Sequence, residues 1–168
     1  DLSFLKCIIS GGDSLSPSTK KRLNKMLSEH GCSARVREGY GLTECVTGSC
    51  LMPENSDNLL SVGLPYADTF YKIIDSSGSE LPRGETGQII LRGPSVMKGY
   101  YKEPQETAAV LKRLSDGNIW LHTGDLGYMD ENGFVYFRQR LKRMIVSGGY
   151  NIYPQNLEEV INSHDSVI

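Results

Sequence analysis

Gly39-Tyr40-Gly41-Leu42-Thr43-Glu44 closes the first strand–helix–strand pattern in the chain, and the reading of the fold works outward from it. Upstream, Leu5-Lys6-Cys7-Ile8-Ile9 reads as a buried strand ended by Gly11-Gly12. Ser16 followed by Pro17 reads as an N-cap with proline at the first helical position. Leu23, Met26, Leu27 and His30 recur at helical spacing on one face, and Gly31 is a stop. Ala34-Arg35-Val36-Arg37 reads as a second strand running into the glycine-rich loop. Strand, helix and strand in this order predict the edge of an α/β sheet over residues 1–60.

Downstream the texture changes. Tyr71-Lys72-Ile73-Ile74-Asp75, Gly87-Gln88-Ile89-Ile90-Leu91, Leu126-Gly127-Tyr128-Met129 and Phe134-Val135-Tyr136-Phe137 are short strands separated by turns. Asp130-Glu131-Asn132-Gly133 joins the last two as a hairpin with an Asn-Gly turn. The expectation is a distorted, mostly antiparallel β-barrel over residues 61–141, interrupted by one short helix that Pro104 opens. Residues 142–168 read as the start of a small α+β domain. It has a strand at Met144-Ile145-Val146, a glycine turn, and a helix opened by Pro154 with Glu158 and Glu159 early in it. The stripe of Leu157, Val160 and Ile161 needs more than one helix to cover it, so a further part of this domain is expected. The fold class is therefore α/β plus β, with a truncated third unit.

Composition narrows the function classes. The chain has 168 residues and a net charge of -2, so no broad basic surface for nucleic acid is implied. Lys20-Lys21-Arg22 lies within a helical pattern and reads as a solvated face. No apolar run is long enough to span a bilayer. Cys7, Cys32, Cys45 and Cys50 form no C-x-x-C pair, and reduced thiols in core or loops fit a cytoplasmic protein without structural zinc.

The residues that carry chemistry stand in three groups. In residues 39–44 the two glycines permit tight backbone turns, Tyr40 offers an aromatic face, Thr43 a hydroxyl donor and Glu44 a hard carboxylate suited to Mg²⁺. A nucleotide site needs that set; a glycine turn beside a core tyrosine would also account for it. Trp120-Leu121-His122-Thr123-Gly124-Asp125 ends in a carboxylate able to accept from two vicinal hydroxyls. His122 reads as a packing or surface residue rather than an acid–base catalyst. Arg140-Leu141-Lys142 runs into Ser147-Gly148-Gly149-Tyr150-Asn151.

In this order the three groups resemble the adenylate-forming enzymes: acyl-CoA synthetases, luciferases and peptide-synthetase adenylation domains. The resemblance implies that Tyr40 stacks on adenine, Thr43 contacts the α-phosphate of ATP and Glu44 holds Mg²⁺. It implies that Ser10-Gly11-Gly12-Asp13 borders adenine and the acyl group, that Asp125 and Arg140 hold the ribose, and that Phe137 lies along the base. The family carries Gly or Asp before that arginine, where this chain has Gln139. Lys142 falls at the family's hinge. Gly87-Gln88-Ile89-Ile90-Leu91-Arg92-Gly93, Lys98-Gly99-Tyr100-Tyr101 and Pro104 resemble a structural motif and read as scaffold. The stretch around Gly148 and Gly149 is similar to the glycine loop that lines the pantetheine channel of acyl-CoA synthetases, which favours coenzyme A as acceptor.

The family's phosphate loop and its C-terminal catalytic lysine have no match here. The chain is therefore expected to be a fragment, with an N-terminal subdomain and the rest of a lid domain elsewhere, and with no meaningful ligase turnover by itself. The implied reaction joins a carboxylic acid to CoA through an acyl-adenylate, releasing pyrophosphate and then AMP. Two alternatives stay open: an enzyme that loads a carrier-protein phosphopantetheine, and a non-catalytic nucleotide-binding module. Cys45, Val46, Thr47, Gly48, Ser49 and Cys50 follow the glycine motif where the family lines its acyl pocket, which suits a fatty or aryl acid.

Overall fold

The computed structural model describes residues 1–56, 58–148, 150–162, 164, 166 and 167. Strand β1 (Ile8–Ser10), helix α1 (Pro17–Glu29), β2 (Val36–Tyr40), β3 (Cys50–Leu51) and β4 (Leu64–Pro65) come first. They are followed by β5 (Phe70–Ile74), β6 (Gly87–Arg92), α2 (Pro104–Val110), β7 (Leu111–Arg113), β8 (Ile119–Met129) and β9 (Val135–Arg140). A hairpin of β10 (Ile145–Ser147) and β11 (Tyr150–Ile152) then leads into α3 (Pro154–Asn162).

The α/β edge forms as its sequence predicts, with β1 and β2 parallel in a sheet ordered β1-β2-β3-β4. Ser16 caps α1 by accepting from Thr19 N at 3.2 Å, and Gly31 leaves the helix at φ 80°. The packed stripe differs from the expected one. Leu23 and Leu27 meet Leu5, Ile8 and Val36, while Met26 and His30 are exposed. Lys20 is the larger correction, because it is buried and pairs with Glu38 of β2 at 2.7 Å. Three basic residues in a row cannot all face water on a packed helix, since successive positions turn by about 100°.

The second region is not a closed barrel. Its sheet runs β5-β6-β8-β7, with β9 on the far half of β8. Strand β8 is the spine: its first half pairs with β7 and its second with β9, and β6 lies along its other edge. A bridge from Gly63 to Val135 ties the first sheet to β9. Residues 120–125 lie within β8, which is paired by β6 on one edge and by β7 and then β9 on the other. Gly124 interrupts it at φ 72°, and the register against β9 shifts between Leu126 and Gly127. The β8–β9 turn has Gly133 at φ 84° with its N–H donating to the Asp130 carbonyl, so the tight turn spans 130–133 and Gly133 takes the left-handed position.

One core serves both sheets. Cys45 and Cys50 pack with Tyr71, Ile73, Ile89, Leu91, Leu121, Met129 and Val135, so the segment around β3 is welded to the five-stranded sheet. The loop after Tyr40 thereby faces β8. Among the described residues, no helix is long and apolar enough to cross a membrane.

Lys20→Met should leave Glu38 buried without its counter-charge, at a cost of about 3–5 kcal/mol, and replacing both residues with apolar ones should recover most of it. Urea unfolding of the two variants measures both effects. A single variant as stable as the parent would mean that Glu38 finds water.

Candidate active site

A cavity of about 730 Å³ opens where the two sheets meet. Its walls include residues 9–12 at the end of β1, residues 39–44 with Thr47 and Gly48, residues 121–123 of β8, Tyr100, and Arg140 at the end of β9. Gly12, Gly39, Tyr40, Gly41, Thr43, Glu44 and Arg140 therefore converge on one cavity from distant parts of the chain.

Tyr40 is not in a loop. Strand β2 runs through Gly39 and Tyr40 because β3 supplies an antiparallel partner, Gly39 to Leu51 and Tyr40 to Cys50. The glycines serve close approach rather than turning. A Cβ on Gly39 would meet the Cys50 carbonyl at 3.0 Å, and one on Gly41 would lie 1.8 Å from the Thr47 carbonyl oxygen. The unusual backbone angles fall instead on Val46 (φ 56°) and Thr47 (φ 74°). Gly48 N donates to the Val46 carbonyl at 2.9 Å, closing a γ-turn over Thr47. β-Branched residues in this region cost about 1–3 kcal/mol each.

The Tyr40 hydroxyl donates to Asp125 Oδ2 at 2.7 Å. Its ring stacks against Phe137, with centroids 5.9 Å apart. Its carbonyl accepts from Ser49 Oγ at 3.0 Å, and the Tyr71 hydroxyl, 2.5 Å from Ser49 Oγ, donates in turn because the serine has spent its single proton. Burial, then the Asp125 charge, pushes the Tyr40 phenol far up, so it stays a donor.

Asp125 is 3% exposed. It is not among the lining residues but touches two that are: Tyr40, and Arg140, whose Nε lies 3.8 Å from Oδ1. The register pairs Asp125 with Arg140 across β8 and β9, which sets them side by side. Thr123 Oγ1 donates to the Ile89 carbonyl at 2.7 Å and accepts from Asp125 N at 3.0 Å, fixing the strand there. Burial raises the Asp125 carboxyl above the ordinary range, with Tyr40 and Arg140 pulling the other way.

Glu44 sits in a 3-10 turn, Thr43–Cys45, with its carboxylate accepting from the Tyr100 hydroxyl at 2.6 Å. That bond pushes the Tyr100 phenol up to about 12. Tyr100 belongs to the stretch read as scaffold; the available signal was an aromatic placed between a glycine and a proline-opened helix. Of the six residues after Glu44, Thr47, Gly48 and Cys50 line the cavity. Cys50 is buried with its thiol near the Val62 carbonyl, and burial pushes it up to about 11. His122 lines the cavity with Nδ1 held 3.1 Å from Gln88 Oε1, and burial lowers its basicity.

Other expected site residues lie elsewhere. Asp13, Lys142 and Gly148 do not line the cavity. Asp13 instead accepts from the backbone of Ser14. Lys142 is exposed in the turn Leu141–Arg143, and Gly148 is exposed at φ 58° in the β10–β11 turn. Gly149 lies outside the described residues.

A family model described as AMP-binding enzyme matches residues 1–101. A long-chain-fatty-acid–CoA ligase of Bacillus subtilis (strain 168) is 42% identical over 171 residues, with 99% of this chain and 28% of the ligase covered. ATP-bound MatB from Rhodopseudomonas palustris matches with a TM-score of 0.82 at 33% identity, over 95% of this chain and 30% of that one. The amide bond synthetase McbA from Marinactinospora thermotolerans matches with a TM-score of 0.84 at 32% identity, over 98% of this chain and 32% of that one. The chain thus spans under a third of the length of each.

Because the Asp125 carboxyl is raised in the folded state, the fold binds its proton more readily than the unfolded chain does. Stability then falls as pH rises from the ordinary carboxylate range through the raised value, so ionised Asp125 is a net cost at neutral pH. Asp125→Asn should raise the thermal midpoint at pH 7, with the advantage fading on acidification below that window. A midpoint lowered at pH 7 would show that Arg140 and Tyr40 outweigh burial.

Proposed function

This chain belongs to the AMP-binding enzyme family, and from that premise we propose that its cavity holds the nucleotide of an acid–CoA ligase. The observation that carries the proposal is that Tyr40 and Arg140, which line the cavity with Glu44, both touch the buried Asp125 carboxylate behind its wall. The reaction has two steps. A carboxylate attacks the α-phosphorus of ATP and displaces pyrophosphate, forming an acyl-adenylate. The thiol of CoA then attacks the acyl carbonyl, and AMP leaves.

The roles follow from chemistry. Tyr40 with Phe137 behind it presents an aromatic face to adenine, and Gly12 borders the base. Asp125 accepts from the ribose hydroxyls through the oxygen that Tyr40 leaves free, while the Arg140 charge beside it opposes the effect of burial and favours the ionised form. Thr43, exposed at the cavity, donates to the α-phosphate. Glu44 fits Mg²⁺, which takes one or two carboxylates together with substrate phosphates; the half-buried carboxylate borders the cavity and keeps acceptor positions beyond the one Tyr100 uses. When bound, the ion neutralises charge on the phosphates. Among the described residues bordering the cavity, no Ser or Cys is hydrogen-bonded to a His, so rate comes from positioning and charge stabilisation.

The remaining assignments extend this reading. Residues 142–168 begin a lid that turns about Lys142, an exposed residue free to absorb a change in φ and ψ. Gly148 and Gly149 then border the pantetheine arm. The acid is a fatty or aryl one, from the small, mildly apolar wall at Thr47, Gly48 and Cys50. Free buried thiols at Cys32, Cys45 and Cys50 support a cytoplasmic setting.

The full-length protein, incubated with ATP, Mg²⁺, CoA and a panel of carboxylic acids, should yield acyl-CoA and AMP by mass spectrometry. Acyl-adenylate without acyl-CoA would move the acceptor to a carrier protein; no adenylate from any acid would favour a binding module. In the same protein Asp125→Ala should weaken ATP binding by about 1.5–3 kcal/mol through loss of a charged acceptor. An unchanged affinity by calorimetry would remove Asp125 from the ribose.

A further inference from the structure

The stretch between β6 and α2 was read as scaffold, yet it grips Glu44 at two points. Met97 N donates to the Glu44 carbonyl at 2.8 Å, and the Tyr100 hydroxyl donates to Glu44 Oε1 at 2.6 Å. The first bond is what a scaffold supplies, since it fixes the path of the backbone. The second fixes a side chain at the cavity, and Tyr100 lines that cavity itself.

Tyr100 is held from behind. Its backbone N–H donates to Thr107 Oγ1 at 2.9 Å, and Thr107 Oγ1 donates to the Glu103 carbonyl at 2.8 Å. The threonine hydroxyl thus uses both capacities to dock the tyrosine on the first turns of α2. Gly99 permits the close approach: at φ 153°, a Cβ there would meet Thr107 Cγ2 at 2.8 Å. A hydrogen bond from a neutral donor to a carboxylate is short and strong, and it selects one rotamer of an otherwise mobile side chain. It takes one of about four acceptor positions on the carboxylate and leaves the rest for a cation.

We propose that Tyr100 is a positioning residue for Glu44, its hydroxyl holding the carboxylate in the orientation that receives the nucleotide's divalent cation, with Thr107 holding Tyr100. This rests on the nucleotide-site reading of Glu44. The motif then sets cation affinity as well as backbone path.

The test uses the full-length protein with Mn²⁺ as probe, its binding in the presence of ATP followed by water-proton relaxation. Glu44→Gln should abolish most of the ATP-dependent Mn²⁺ binding. Tyr100→Phe should weaken Mn²⁺ about 10-fold, the loss of one hydrogen bond to a charged group. Metal-free AMP affinity and the thermal midpoint should stay at parent values. Thr107→Val should shift Mn²⁺ affinity in the same direction, and Thr107→Ser, which keeps the hydroxyl, should restore it. Unchanged Mn²⁺ affinity in Tyr100→Phe, alongside a loss in Glu44→Gln, overturns the role of Tyr100 alone. Unchanged affinity in Glu44→Gln overturns the reading of Glu44 as a cation ligand, and the proposal with it.

Discussion

The hydrogen bond from the Tyr40 phenol to the Asp125 carboxylate joins residues 85 apart in sequence, and the cavity depends on it. Tyr40 ends β2 in one sheet and Asp125 lies in β8 of the other. Two further contacts hold the pair in place. Ser49 donates to the Tyr40 carbonyl and is itself held by the Tyr71 hydroxyl, and the β8–β9 register sets Arg140 beside the carboxylate. Because the charge is buried, each contact acts in a low dielectric and weighs more than its surface equivalent would.

The same region holds free energy that stability alone would not keep. Asp125 carries a charge in a buried position. Val46 and Thr47 adopt left-handed angles although both are β-branched, because the Thr47 carbonyl packs where any side chain at position 41 would stand. Gln139 is buried in β9 with neither amide atom hydrogen-bonded, one residue from Arg140. Strain at Thr47 in the cavity wall and desolvated charge at Asp125 behind Tyr40 stand beside the site, while the core beneath, built on Ile89, Leu91, Leu121 and Val135, is well covered. Proteins keep such local costs where geometry serves a ligand.

The glycine-rich and proline-opened segments behave as two kinds of signal. Ser16 acts through a local hydrogen bond and Pro17, Pro104 and Pro154 through local sterics, and the helices start where they stand. Gly39 and Gly41 act through tertiary packing: neither has a positive φ, and each is glycine because another backbone passes too close for a Cβ. The motif letters alone do not separate these two uses.

What the sequence determined by itself is what depends on neighbours in the chain: the helix starts, the β1–α1–β2 unit, the antiparallel strand runs, and the residue types needed to bind a nucleotide. Tertiary structure decided what depends on partners far away. Lys20 faces inward because Glu38 waits on β2, and residues 120–125 are held in β8 by pairing with β6, β7 and β9. The five-stranded sheet stays open because β9 attaches to one half of β8, and that pairing lies in no local pattern. Tyr100 reaches Glu44 across 56 residues. Local propensity is set by φ, ψ and side-chain sterics over a few residues, whereas burial, ion pairing and strand pairing are set by whichever surface the folded chain brings near.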